Sequence, residues 1–550
     1  MNSFAKNCGF FPSHPPTQVQ VQMSLQTEKH HSSAVSAPDM SLFWGCFIAL
    51  ITTAFAFITR AFLVNDPSLW PKAFSLDGVQ AQELFGAGIW PFAISIIIFS
   101  LIIDRIGYKT AMWFSFLCYG GYALMALKAH GLISTHPEAK KDAYDLLYWG
   151  SVILGLGNGT VEAYINPVVA TMFNKDKTKW LNMLHAGWPG GLVIGGLITL
   201  GLGAQAHNDW RILVYLIAGP ALVYAAMLSR ATFPPNERVA AGTTYREMLA
   251  EFGILGAAIA SYLITSQLAQ VFHWGSTLQW SVFAVAVAAF GIYSRSLGSG
   301  ILIFLCLVMI PLATTELGTD GAISGIMEKP MAAIGGNGLW VLIYTSAIMM
   351  VLRFIAGAIV SRISPLGLLA LSATLAVAGL TFLSHASSLA AIFIAATIYA
   401  FGKTFFWPTT LAVVSEQTPK GGALTLNAIG GIGMLAVGIL GGPVIGAITE
   451  KTAQSAIEKQ VSPEAYQKVK KEGVYVLGTY NAVDAEKVAE LAKTDKATAD
   501  QISAAREGAN QGALSTVAMF PAFMLACYAG LILWFKARGG YKAVSLNSSH

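Results

Sequence analysis

From Ser41 onward the chain is a succession of apolar stretches of nearly equal length, and this limits what it can fold into. A bilayer core takes roughly 17 to 25 residues of helix to cross. Within it every backbone N–H and C=O must be satisfied inside the segment, which makes helices the form these stretches take. Spans at 42–64, 82–103, 110–129, 146–172, 182–205 and 211–230 make a first group. A polar connection, 234–251, leads to two shorter runs at 254–272 and 278–294. Six more follow at 300–318, 339–360, 366–384, 388–414, 422–448 and 515–536, so the pattern is six, two, six. Composition agrees: 11% of 550 residues are charged and mean hydropathy is +0.58, which leaves too few charges to cover a soluble surface. The expectation is an all-α membrane protein whose solvent is lipid.

Loop charges orient it. With the N-terminus on the cytoplasmic side, sixteen Lys and Arg fall on that side and six in the short loops opposite. The bias puts both termini in the cytoplasm, as expected of a multi-pass protein of a plasma or inner cell membrane. The central pair is then a hairpin that preserves this sidedness. Residues 450–513 carry nineteen charges and form an external insertion. Ser462-Pro463-Glu464 reads as a cap followed by Pro at the first helical position, and Asp484 as a second cap, so the insertion is expected to be helical. The predicted organisation is a disordered tail over 1–41, a six-helix half over 42–231 and a connection with hairpin over 232–299. Helices seven to eleven occupy 300–448, the insertion 449–514, the last helix 515–536 and a cytoplasmic tail 537–550.

Several function classes drop out. A net charge of +5 dispersed in loops gives no nucleic-acid surface. Cys8, Cys46, Cys118, Cys306 and Cys527 lack close pairs or His partners, so neither a metal site nor a disulfide framework is expected. No cofactor motif, nucleophile elbow or phosphate loop is found, and the chain is not expected to be an enzyme.

Two halves of six suggest a duplication. The fourth span reads Gly155-Leu-Gly-Asn-Gly-Thr-Val-Glu162-Ala-Tyr164-Ile-Asn166-Pro167, and the tenth Ala400-Phe-Gly-Lys403-Thr-Phe-Phe406-Trp407-Pro408. Aligning the two prolines puts Glu162 opposite Lys403, both near mid-span. A charge at that depth is disfavoured by roughly 2.5–3.5 kcal/mol, which argues that both line a polar cavity between the halves or are buried as a pair. Arg353 lies well inside the eighth span and His185 one turn into the fifth. Arg60 and Glu316, late in their spans, are close enough to an outer surface to reach water by snorkelling.

Asp104-Arg105-Ile-Gly107-Tyr-Lys109, between spans two and three, resembles the signature loop of the major facilitator superfamily, and Arg362 stands in the corresponding loop of the second half. Gly155 through Pro167, Leu181-Asn182, Phe406-Trp407-Pro408-Thr409 and Gly421-Gly422-Ala423 with Gly430-Gly431 are similar to the fucose, galactose and glucose proton-symporter family. The resemblance implies a major facilitator fold of two six-helix halves, to which this chain adds the hairpin, for about fourteen apolar segments, and the insertion. It implies a proton-coupled carrier alternating between inward-open and outward-open shapes, with Glu162 as the coupling carboxylate. The family's first-helix aspartate has no counterpart here.

Burial favours a protonated carboxyl and a nearby cation an ionised one, so Glu162 beside a movable Lys403 suits a proton carrier. Tyr164, Trp188, Phe406 and Trp407 offer stacking faces for a sugar ring, and Asn166 both donor and acceptor for hydroxyls. Arg353 and Lys403 suit an organic anion or sugar acid instead. A third reading makes the chain a receptor whose ligand domain is the insertion. The expected partners are a small solute, protons and the bilayer, in a monomer.

Overall fold

A computed structural model describes residues 39–66, 69–76, 78–333, 339–475 and 478–546. The tail expected at 1–41 lies outside these residues as far as residue 38, and the C-terminal tail beyond 546 does also. The first half comprises α1 (Met40–Val64), α2 (Glu83–Ile106), α3 (Tyr108–Thr135), α4 (Lys140–Met172), α5 (Lys177–Gly201) and α6 (Arg211–Ser229). The hairpin is α7 (Tyr245–Val271) and α8 (Ser276–Ser294). The second half begins with α9 (Gly300–Gly321), α10 (Leu339–Phe354), α11 (Pro365–Leu383), α12 (Leu389–Gln417) and α13 (Pro419–Gln460). Twelve helices of the described residues are long and apolar enough to cross a membrane. Outside that count are α10, with 16 residues, and α4, whose 33 residues include Lys140, Lys141, Asp142 and Asp145 at its start.

Local chemistry sets the helix starts. Ser364 and Ser388 accept N–H bonds at 3.2 and 3.3 Å in the first turns of α11 and α12, and Pro365 occupies the position whose N–H would be unpaired. Thr244 and Glu247 form a reciprocal capping box at α7. Gly253 then takes φ +64° and breaks the helix, and Ile254 and Leu255 donate N–H bonds to Ser296 and Leu297, with Ser299 N–H returning to Glu251. A Cβ at Gly253 would strike the backbone of Gly298, so glycine is what allows the two feet of the hairpin to join. Helix α7 packs on α9 and α13, while α8 packs on α7 with its apolar window entirely at the surface.

The halves meet where α13 crosses α2 and α10 crosses α5. Glycine thins the first seam: side chains at Gly431 would collide with Ile97 and the carbonyl of Ala93. Two π turns, Thr314–Gly318 continuing α9 and Val437–Gly441 within α13, lie against one another. Such turns bring one residue extra into a helix and recur at functional sites.

The insertion is mixed rather than purely helical. It carries α14 (Pro463–Val469), an antiparallel pair β1 (Lys470–Tyr475) and β2 (Gly478–Val483), α15 (Ala485–Thr494) and the outer part of α16 (Lys496–Lys536). Gly478, at φ +128°, opens β2 opposite Tyr475, and this strand pair is what the helical reading overlooked. Ile457, Tyr466, Val469, Val483 and Ile502 form its own small core. Ser462 caps α14 by accepting the Ala465 N–H at 3.0 Å. Arg506 donates to Glu450 at 2.5 Å, which fastens the insertion to the outward extension of α13.

Candidate functional site

Helix α4 puts Glu162 and Asn166 one turn apart on the face that meets the second half. Asn166 Nδ2 donates to Glu162 Oε2 at 2.8 Å and to Asn427 Oδ1 of α13 at 3.2 Å. With its amide so oriented, Asn166 Oδ1 is left to accept from His185 Nε2 at 3.0 Å, which makes this the protonated ring nitrogen. Asn427 Nδ2 returns to the carbonyl of Ala163 at 2.9 Å. The result is a buried polar chain running from α5 through α4 into α13.

The second half presents a different arrangement. Arg353 is 1% exposed and donates from Nε to the Thr404 carbonyl at 2.7 Å, from Nη1 to the His185 carbonyl at 2.8 Å and from Nη2 to Glu316 Oε1 at 2.9 Å. Glu316, placed by the π turn, accepts on its other oxygen from the Trp407 N–H at 3.2 Å. Lys403 is fully buried over the Tyr399 ring and bonds to Asp320 and, at 3.2 Å, to Thr345 Oγ1.

Glu162, His185, Trp188, Glu316, Arg353, Trp407 and Met434 line a central cavity of about 30 Å³, the space of about one water. A second space of about 720 Å³ opens toward the insertion, sharing Trp188, Leu317 and Met434 with the first and extending past Asp320 to Glu450 and Tyr480. Among the described residues, two carboxylates and no Lys or Arg line it.

At the opposite end the halves are stitched together. Lys177 donates to Glu237 at 2.6 Å and to the Ser415 carbonyl at 3.3 Å, Thr178 to Glu416 at 2.9 Å and Asn182 to Thr409 at 3.2 Å. Tyr541 donates to the second oxygen of Glu416 at 2.7 Å, and burial together with that carboxylate pushes its phenol above the ordinary value, so the donor stays protonated. This conformer is therefore closed at the loop end and open toward the insertion.

Several expectations are revised by this geometry. Lys403 does not meet Glu162: it turns into its own half, toward Asp320, and lies outside the central cavity. Glu316 does not snorkel, being 3% exposed and ion-paired, and Arg60 does not either. Arg60 bonds the Leu84 carbonyl at 2.9 Å and lies over Phe85, in a space that any side chain at Gly88 would fill. Tyr164 is buried inside the first half, edge-on to Phe233, and lines neither cavity.

In the signature loop, Asp104 pairs with Arg238 at 2.5 Å, Arg105 lies over the Tyr245 ring at 4.2 Å and Gly107 has φ +84°, while Lys109 and Arg362 are exposed. Asp320 and Asn427 are the residues sequence reasoning missed. Each is polar next to an apolar run, which is the signal that singled out Glu162. Among the described residues no group of His, Cys, Asp and Glu is arranged to hold a metal.

Two six-helix halves about a buried polar site, with one end sealed, define a carrier-type fold, and residues 42–443 match the family model of the Major Facilitator Superfamily. The chain belongs to that superfamily and is a multi-pass membrane protein. A search of curated proteins by sequence finds no match. Among solved structures, the fold is similar to that of the proton:xylose symporter XylE bound to 6-bromo-6-deoxy-D-glucose, at 12% identity and TM-score 0.58 over 93% of this chain and 99% of that one. The transporter FucP in the outward conformation aligns at 15% identity and TM-score 0.48 over 87% and 98%. The human organic anion transporter MFSD10 aligns at 14% identity and TM-score 0.47 over 89% and 99%.

Proposed function

We propose that the chain is a secondary transporter that couples uptake of a neutral, sugar-like solute to protons by alternating access. It works in a plasma or inner cell membrane, as a monomer with both termini in the cytoplasm. The observation that carries this reading is the pairing of charges. Arg353 has Glu316 and Lys403 has Asp320, whereas Glu162 faces the cavity with an amide donor and, among the described residues, no bonded cation. A proton is then the mobile counter-charge available to it.

In the mechanism, Glu162 is protonated from the open vestibule as solute displaces water between Trp188 and Trp407. Asn166, itself held by His185, fixes the carboxyl's orientation, and of these two only His185 borders the cavity to meet a solute hydroxyl. The halves then rock, the stitching through Lys177, Thr178 and Asn182 opens, and proton and solute leave on the cytoplasmic side. The alternative of an organic anion is less well supported, because Arg353 and Lys403 are already neutralised and the vestibule offers an anion two carboxylates. The receptor reading leaves the sealed end and the buried charges without a role.

The test is transport in proteoliposomes with a panel of neutral sugars, sugar acids and short carboxylates. An inward proton gradient is expected to concentrate a neutral sugar. Glu162→Gln abolishes that accumulation and retains counterflow exchange. Gradient-driven uptake unchanged in the variant, or competition by acids alone, would sink the proposal.

A further inference from the structure

A third space, about 710 Å³, lies between the insertion-side ends of α2, α4 and α7 and the middle of α13, beside the solute pathway described above. Its walls are unusual in composition. Trp90, Tyr144, Tyr148, Trp149 and Phe272 line it, with Glu83 and Asp145 among them and, among the described residues, no Lys or Arg. Trp90 stands edge-on to Phe272 with ring centroids 6.2 Å apart, and Tyr148 edge-on to Trp149 at 5.6 Å. Tyr144 donates to Glu83 Oε2 at 2.7 Å, so this carboxylate is held in place by the aromatic wall.

Faces of aromatic rings attract cations electrostatically, and several of them around one space recognise an ammonium group that has little to gain from conventional hydrogen bonds. Two carboxylates, with no Lys or Arg beside them among the described residues, strengthen that preference and repel anions. Gln267, Gln270 and His273 add polar groups from the end of α7, so the extra hairpin closes the fourth side of the pocket. Met434 and Gly438 of α13 form the back wall, and Met434 also borders both the central cavity and the vestibule.

We infer that this pocket is a binding site for an alkylammonium group, built jointly by the hairpin and the first half and separate from the transported solute's site. The chemistry is shared by a choline-type lipid headgroup and a free quaternary ammonium ion. The pocket's position at the insertion-side ends of α2, α4 and α7 suits the first, and its carboxylates suit either. Because α13 carries one of the facing π turns, an occupant here leans on a helix that also walls the solute path.

The experiment uses the full chain in a maltoside detergent and follows thermal unfolding and calorimetric heats. The probes are tetramethylammonium chloride, dihexanoylphosphatidylcholine and dihexanoylphosphatidylglycerol, at matched ionic strength. Saturable stabilisation by both the free cation and the choline lipid supports a site open to either source. Stabilisation by the choline lipid alone supports a headgroup site. The double variant Glu83→Gln, Asp145→Asn is expected to weaken binding at least tenfold. Should it fail to fold, Trp149→Leu, at a position 47% exposed, carries the same expectation. No saturable binding, an equal effect of the glycerol lipid, or undiminished binding in a folded variant would overturn the assignment.

Discussion

Two carboxylates face one cavity from opposite halves and have different partners. Glu162 of α4 accepts a hydrogen bond from an amide that is itself part of a chain of neutral groups. Glu316 of α9 is held by a guanidinium on one oxygen and a backbone N–H on the other. The chemistry of the side chain is the same; the presence of a cation decides whether it is free to change charge or is fixed as one member of a structural pair. In the proposed mechanism the first half carries the mobile charge, and the second half supplies an ion-paired frame that also reaches across the seam, through Arg353 to the carbonyl of His185.

Neutralising the two carboxylates separately is the strongest way to break this contrast. Glu162→Gln keeps an amide-sized group among neutral partners, so its unfolding free energy in detergent is expected to stay within about 1 kcal/mol of the parent while proton-driven accumulation disappears. Glu316→Gln leaves Arg353 buried and unpaired, and the expected loss is about 3–5 kcal/mol. The double variant Glu316→Gln, Arg353→Met should recover most of it, because no uncompensated charge remains. Equal destabilisation by the two single variants would mean that the halves do not differ in the way the bonding indicates.

The unequal halves also show what the amino-acid order can and cannot reveal. Spans and intramembrane charges were legible because a single Glu, Lys or Arg stands out against twenty apolar neighbours. Capping at Ser462 and Pro463 was legible because it depends on adjacent residues. Partner choice was not. The internal alignment put Glu162 and Lys403 at equivalent positions, yet equivalent positions in a repeat meet only if both side chains point to the axis, and Lys403 turns inward to its own half. Asp320 was hidden because the π turn prolongs α9 past Gly318, where the apolar pattern stops. The β hairpin at 470–483 was hidden by a charged strand, Lys470-Lys471-Glu472, without clear alternation.

A smaller effect is expected at the second ion pair, and it sharpens the contrast within the rigid half. Asp320 is 14% exposed and borders the vestibule, whereas Lys403 is fully buried. Water at one end of the pair offsets part of the loss, so Asp320→Asn is expected to cost about 1.5–3 kcal/mol, less than Glu316→Gln. Lys403→Met should cost less still, because the residual carboxylate can turn to the vestibule and be hydrated. Thermal unfolding of the three variants side by side gives the order. A larger loss in Lys403→Met than in Asp320→Asn would show that Asp320 is not reached by water.

The smallest effect concerns the balance between conformers. On the sealed side, Thr178 Oγ1 donates to Glu416 Oε1 at 2.9 Å, one of several bonds that join the halves there. Thr178→Val keeps the shape of the side chain and removes that bond, at a net cost of about 1 kcal/mol to the sealed state. Both states of the carrier keep their packed halves, so the loss appears as a shift in their ratio, roughly fivefold, rather than as unfolding. Ser415 is a suitable reporter because it is buried at this seam and its backbone carbonyl, not its hydroxyl, receives Lys177, so Ser415→Cys leaves the stitching intact. Labelling of that cysteine by a membrane-impermeant maleimide applied from the loop side should be about fivefold faster with Thr178→Val than without it. Solute added on the insertion side alone should then narrow the difference if, as the vestibule geometry implies, it binds the conformer in which this seam is closed. Labelling that is fast in the parent and indifferent to Thr178 would place the dominant conformer on the other side of the cycle.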